Sequence, residues 1–429
     1  MTGQDAVRRL GSARVDDIVT ALSVDEGRRA RLLVEMLAAA LMAVEPEAAV
    51  IRALNGESLE GPPVTIVALG KAAPAMARGA AAVLGERLAG GIVVSNHAEK
   101  LPAGLELAIT SHPAPDKSSL RAGQRLVDLV GGVPGRGRLL FLISGGGSAL
   151  AEVPAPGLDL SDLLAVSTVL MNAGIPIDET NTVRTHLSTI KGGRLAAVAA
   201  APHTTVLISD VPTATPHLVA SGPTLPCPTT PGDALAVLAR HRLMDMVPRQ
   251  VIRVLETAPP PPVVPDSHFV AADGALASAA AAREAEANGI AAAISPRDLT
   301  GFATEMAAEA LAMAREGEIT IFAGETTVEV KGTGRGGRNQ EAALASALHE
   351  AGGSSVFVAF GTDGVDGPTD AGGAMIDGST AQRIRQGGLD PSVALAANDS
   401  HPALDAGGAL IRCGPTGTNV ADIWIVDRR

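Results

Sequence analysis

Short polar clusters follow the strand-like apolar runs of this chain and hold most of its candidate chemistry. They are Lys71, Ser95-Asn96-His97, Ser111-His112, Ser144 to Ser148, Ser209-Asp210 and Thr362-Asp363. In open parallel sheets, ligands bind outside the carboxyl ends of the strands, so these side chains are expected to converge at one edge. A cation beside acids and hydroxyls suits a small anionic metabolite.

The run Ser144-Gly145-Gly146-Gly147-Ser148 lies between a strand and a helical stretch. Its glycines let backbone N–H groups approach an anion, and the helix terminus adds positive potential. No Gly-Lys-Ser/Thr follows, so it is not a Walker A loop; the alternative is a tight strand-to-helix turn. Over Thr182–Leu195, Arg184 and Lys191 read as one helix, and a spacing of seven puts both on one face, either for an anion or for solvent. Gly332 to Glu341 follows strand-like text, opens an Ala/Leu helix and satisfies G-x-G-x-x-G. Arg338 and Asn339 at that helix start suit a phosphate or carboxylate. Asp363, Asp366 and Asp370 share a loop that superficially looks like a calcium site but lacks the closing bidentate Glu. A hard-metal ligand beside phosphate and a turn of Asp side chains on backbone amides are the two readings. His112 reads as a loop histidine, and without a G-x-S-x-G elbow Ser–His–Asp hydrolysis fits poorly.

The elements that must position these residues form two series. The first 60 or so residues read as helices without strand-like text. From Val64, the runs Val64–Leu69, Gly91–Ser95, Leu105–Thr110, Leu139–Ile143 and Thr204–Ser209 alternate with Ala-rich stretches. That pattern means a mostly parallel sheet covered on both faces. The proline run near Thr257–Pro265 breaks the chain. A second α/β series is expected from His268–Ala272 onward, with Ile319–Phe322 and Thr326–Lys331 as a strand pair. The expectation is an α/β protein of two α/β domains, 1–256 and 266–429, with the active site in the cleft between them.

Composition excludes several classes. A net charge of -12 disfavours nucleic acid or an anionic membrane as partner. Aromatic residues make up 2% of the chain and Tyr is absent, so stacking platforms for single strands are not expected. Cys227 and Cys413 have no metal-ligand spacing and read as reduced thiols. Arg8-Arg9 is not followed by a signal-type apolar region, and Leu32–Val44 contains Glu35 and is too short for a membrane span. A cytoplasmic enzyme with a small-molecule partner is expected, with a homodimer as one possible assembly.

The ordered motifs resemble the glycerate 2-kinase family over nearly the whole chain. They include Ala68-Leu69-Gly70-Lys71-Ala72, Ser111-His112-Pro113-Ala114-Pro115-Asp116, Ser144 to Ala149, Val183 to Leu195 and Ser209-Asp210-Val211-Pro212. Gly324-Glu325-Thr326-Thr327, Gly334 to Glu341, Gly361 to Gly373, Asn398-Asp399-Ser400 and Gly414 to Asn419 continue the series. The resemblance implies a Rossmann-like N-terminal domain, a C-terminal MOFRL domain, and ATP-dependent phosphorylation of D-glycerate at its 2-hydroxyl, with magnesium. It also implies that Lys71 and Arg338 line the cleft. In that chemistry they would stabilise the transferring phosphoryl group and orient the substrate carboxylate. Asp210 or Asp363 would hold Mg2+, and either would accept the hydroxyl proton. Two departures stand out: Thr213-Ala214-Thr215 replaces acids usual in the family, and His401 replaces an aromatic residue after Asn-Asp-Ser. The rival readings are an NAD(P)H-dependent hydroxypyruvate reductase using Gly332, Gly334 and Gly337, and a non-enzymatic sugar-acid sensor, which no DNA-binding motif supports.

Overall fold

The computed structural model describes residues 8–24, 27–56, 61–211 and 215–428. The chain forms two compact units, Pro46–Ser209 with Ala214–Ala271, and Met1–Glu45 with Asp210–Thr213 and Ala272–Arg429. This division departs from 1–256 and 266–429 at both ends. The early segment opens with a two-residue hairpin, β1 (Arg9–Leu10) on β2 (Ala13–Arg14), where only helices were expected. The helix Gly27–Ala43 follows, as the apolar stretch around Glu35 requires, with Leu33, Val34, Met36 and Leu37 buried. It packs on the Ala-rich helix Gly274–Ala287, which ties this early segment to the later unit. Small alanine side chains on the partner helix permit close approach, a long-range match that local periodicity does not reveal.

The first unit is built on β3 (Val64–Leu69), β4 (Leu88–Ser95), β5 (Leu105–Ile109), β6 (Arg138–Ser144), β7 (His203–Ile208) and β8 (His268–Ala272). Their order is β5-β4-β3-β6-β7-β8, and the pairings β5/β4, β4/β3, β3/β6 and β6/β7 are parallel. β3 and β6 are almost wholly buried, which explains their continuous apolar text. The chain winds one way from β3 through β5, then returns to β3 with β6, so the topological switch point lies between β3 and β6. The strand His268–Ala272, expected to open the second series, instead borders this sheet, with Thr205 N donating to Ser267 O at 2.9 Å.

The second unit contains β9 (Ala292–Ile294), β10 (Ile319–Gly324), β11 (Val356–Gly361), β12 (Gly373–Ile376), β13 (Leu410–Ile411) and β14 (Asp422–Asp427), in the order β13-β12-β11-β14-β10-β9. Only β9/β10 is parallel; β14 runs antiparallel between β10 and β11. The expected strand Thr326–Lys331 is absent: it carries irregular backbone with one isolated bridge, Phe302 to Thr327. Its place beside β10 is taken by the distant β14, whose six residues are all buried.

Candidate active site

At the switch point of the parallel sheet, β3 delivers Gly70-Lys71 and β6 delivers Ser144 to Gly147. The two turns are fitted to each other. Lys71 N donates to Gly145 O at 2.9 Å, and Ala72 N donates to Ser144 Oγ at 3.1 Å. Gly70 has φ +133, and a β-carbon there would lie 2.1 Å from Ser144 Oγ. Gly146 has φ +82, and a β-carbon there would stand 3.0 Å from Lys71 Cγ and 3.4 Å from His112 Nε2. These glycines are therefore demanded by the close passage of the loop beside Lys71 and His112. Lys71 is half-buried, and among the described residues its ammonium makes no hydrogen bond or ion pair. Burial, with the Lys71 charge adding to it, holds the His112 imidazole below its ordinary pKa.

The same loop continues into the short helix Gly147–Leu150, where Ser148 Oγ lies 2.7 Å from Ser221 Oγ. The expectation that Arg184 and Lys191 share a helix is corrected here. The helix Ile177–His186 ends before Lys191, which sits in a turn with Gly192 and Gly193 at φ +59 and +79. The helix closes at Leu187, whose N–H donates to Arg184 O, and Gly193 opens the next short helix, Arg194–Ala197. Lys191 is 2% exposed and ion-paired with Glu152, a residue not singled out from the sequence. Burial pulls both Lys191 and Arg184 below their usual pKa values, with Glu152 opposing the effect.

In the second unit, Arg338 begins the helix Arg338–His349. Its Nε and Nη2 fork onto Asp422 at 2.6 and 2.9 Å, and its Nη1 lies 2.9 Å from Glu325. Burial alone would lower its pKa, but Asp422 outweighs that, and the guanidinium stays charged. The first helical amides are not open to an incoming anion. Asn339 N and Gln340 N donate to the Asp366 carboxylate at 3.1 and 2.8 Å, so Asp366 occupies the helix N-terminus. Asn339, fully buried, donates through Nδ2 to Asp422 at 3.0 Å and accepts from Trp424 Nε1 at 2.8 Å. It is a core connector here, which removes the expected direct contact of its side chain with substrate.

The glycines of the preceding segment have a local explanation too. A β-carbon at Gly332 would lie 2.2 Å from Ala397 O, at Gly334 2.5 Å from Asp399 Cβ, and at Gly337 2.3 Å from Asp366 Cγ. They admit neighbouring protein rather than a pyrophosphate, and the segment lacks the strand that a dinucleotide fingerprint must follow. His401, also buried, is turned to Asp370, with Nε2 to Oδ1 at 2.7 Å.

Carboxylates gather around Arg338. A β-carbon at Gly361 would stand 3.4 Å from both Asp363 Oδ1 and Asp422 Oδ1. Burial pushes Glu325 up to about 7; Arg338 opposes this, while Asp422, Asp210 and Asp363 reinforce it. Glu325 was quoted within a motif but not assigned a role; its signal was its position directly after β10. Among the described residues no three potential ligands are grouped as a ready-made metal cage. Mg2+ does not need one, because it commonly takes one or two carboxylates and keeps waters and phosphate oxygens. The oxygen-only pair Asp210 and Asp363 fits that chemistry. The substitutions Thr213 and Ala214 lie outside the described residues. No described helix is long and apolar enough to cross a membrane.

Fold and site together define a two-unit α/β protein with a glycine-rich switch-point loop beside Lys71 in one unit and a cation-centred acidic cluster in the other. Residues 32–256 match the model of a domain of unknown function, DUF4147, and residues 318–422 match the MOFRL family. A D-glycerate 2-kinase of Thermotoga maritima is 37% identical over 411 residues, covering 92% of this chain and 97% of the relative. A protein of Agrobacterium vitis with the provisional name hydroxypyruvate reductase is 39% identical over 402 residues, covering 90% and 91%. The crystal structure of a glycerate kinase from Thermotoga maritima superposes with a TM-score of 0.84 at 36% identity, covering 93% of this chain and 99% of that one. The chain belongs to the glycerate 2-kinase family.

Proposed function

We propose that the protein transfers the γ-phosphoryl group of ATP to the 2-hydroxyl of D-glycerate, forming 2-phosphoglycerate and ADP. The observation that carries this reading is the Lys71 ammonium, without a partner among the described residues, beside the Ser144–Ser148 loop at the switch point of the parallel sheet. A cation that no carboxylate among the described residues neutralises is available to an anionic ligand, and Gly145, Gly146 and Gly147 allow that ligand to approach backbone closely.

In the reaction, the 2-hydroxyl oxygen bonds to phosphorus, the bond to the ADP oxygen breaks, and the hydroxyl proton passes to a carboxylate. Glu325, raised by burial and by its neighbouring carboxylates and lying 2.9 Å from Arg338, is the proposed acceptor. Arg338 orients Glu325 through its 2.9 Å contact, and Asp422 in turn fixes Arg338. Asp210 and Asp363 would hold Mg2+, which would neutralise charge on the phosphate oxygens. Lys71 would stabilise the transferring group. The protein is assayed with glycerate and ATP, and in parallel with hydroxypyruvate and NADH. ATP-dependent formation of phosphoglycerate is expected; NADH oxidation without ATP would overturn the reading.

A further inference from the structure

Behind the Ser144–Ser148 loop, a closed ring of contacts returns to Ser148. The chain leaves the loop through Gly147–Leu150 and reaches Glu152, whose carboxylate is 4% exposed as a residue and accepts from Lys191 Nζ and Ser188 Oγ. The flanking strands of chain are also joined through backbone, with Thr189 N donating to Val153 O at 2.8 Å and Ala155 N to Leu187 O at 2.9 Å. From Lys191 the turn continues to Gly192 and Gly193, whose N–H groups donate to Ser221 O at 3.0 Å and Gly222 O at 2.8 Å. Ser221 Oγ then meets Ser148 Oγ at 2.7 Å and closes the ring.

One part of this ring is strained. Ala220, Ser221 and Gly222 have φ of +51, +60 and +58, so two residues bearing side chains sit in the left-handed region. Such backbone persists only where its surroundings over-determine it, and it collects at functional sites. The two amides of the Gly192-Gly193 turn supply that constraint, and the buried Glu152–Lys191 pair fixes the turn. Ala220 also faces the loop directly: a β-carbon at Gly147 would lie 2.6 Å from Ala220 Cβ. A buried ion pair is poor evidence of stabilisation, because desolvation of both charges offsets their attraction; its better-attested use is to select one geometry.

We propose that Glu152 and Lys191 form a positioning pair that sets the Ser148 and Ser221 hydroxyls and the glycine-loop amides for the anionic substrate. Lys191 thus acts through the turn it anchors, not as a ligand. This inference rests on the kinase reading for its chemistry, but not for its geometry. Removing one partner strands a buried charge, so the informative variant is the double Glu152→Gln/Lys191→Met, which keeps volume and removes both charges. Three readouts are taken: melting temperature, kcat and KM for both substrates, and amide hydrogen exchange at residues 145–148 and 220–222. The expected result is a lower melting temperature, because buried Arg184 loses the Glu152 countercharge, a cooperative transition, faster exchange at both segments than in the rest of the parallel sheet, and a kcat/KM lower by roughly tenfold to hundredfold, the scale of a small misplacement of reacting groups. Lys191→Arg, which keeps the charge, is expected to retain more activity than the double variant. Unchanged exchange in a folded double variant overturns the proposal, whatever the kinetics. If the unmodified protein does not phosphorylate glycerate, the kinase reading fails, and exchange still decides whether the pair holds the loop.

Discussion

Replacing Arg338 by lysine tests the second unit's site most directly. The guanidinium donates two bonds to Asp422, which is 0% exposed and has one further donor named here, Asn339 Nδ2 at 3.0 Å. A lysine ammonium cannot reproduce the planar fork, so Asp422 loses at least one charge-assisted hydrogen bond. That loss costs about 1.5–3 kcal/mol. The contact to Glu325, half-exposed, adds less than about 1 kcal/mol. A total of about 2–3 kcal/mol, in a unit of roughly 150–250 residues, lowers the melting temperature by roughly 4–12 °C. Under the proposed function, Glu325 also loses its orientation, so kcat is expected to fall more than KM rises. A melting curve and steady-state kinetics on the same preparation separate the effects. A variant that melts with the unmodified protein would refute the fork's structural role. One that melts lower with unchanged kinetics would confine Arg338 to structure and sink its part in catalysis.

Lys71→Ala is expected to reduce kcat/KM by about a hundredfold or more while moving the melting temperature little, since no described group loses a partner; a fully active variant refutes the site. Gly146→Ala forces a side chain into φ +82 and within 3.0 Å of Lys71 Cγ, so a stability loss of about 1–2 kcal/mol with a raised KM is expected, read from denaturant midpoints and kinetics. Asp366 supplies a pH test. Burial raises it from 3.8 to about 6; its bonds from Gln340 and Asn339 oppose this, and Asp422 reinforces it. The folded state therefore favours the protonated form, so this stabilisation is present below about pH 4 and is lost as pH rises through about 6, on the order of 3 kcal/mol. Urea midpoints at pH 4.5 and 7.5 should show about 2 kcal/mol of this loss and Asp366→Asn should reduce it; equal slopes would show that Asp366 is not the group responsible. The pH profile of kcat/KM should carry a rising limb near 7 from Glu325, displaced downward when Mg2+ is bound at the neighbouring carboxylates and absent in Glu325→Gln.

The parallel sheet was legible in the sequence because each strand there is buried on both faces and reads as a continuous apolar run, as in Val64–Leu69 and Arg138–Ser144. Lys71 and the Ser144–Ser148 loop were legible with it, since position after a strand is a local property. What only the tertiary structure decided is which residues meet across the chain. The order of strands brought Lys71 beside Gly146, while β14 entered between β10 and β11 and carried Asp422 to Arg338. Glu152 found Lys191, and Asp366 found the helix start that had read as an open anion site. The early helix Gly27–Ala43 joined the later unit because its apolar face is completed by Gly274–Ala287, far along the chain. Local patterns record how each residue is buried; they do not record its partner. Whether a buried charge is free for a ligand or spent on a neighbour depends on contacts made only after the chain has closed on itself.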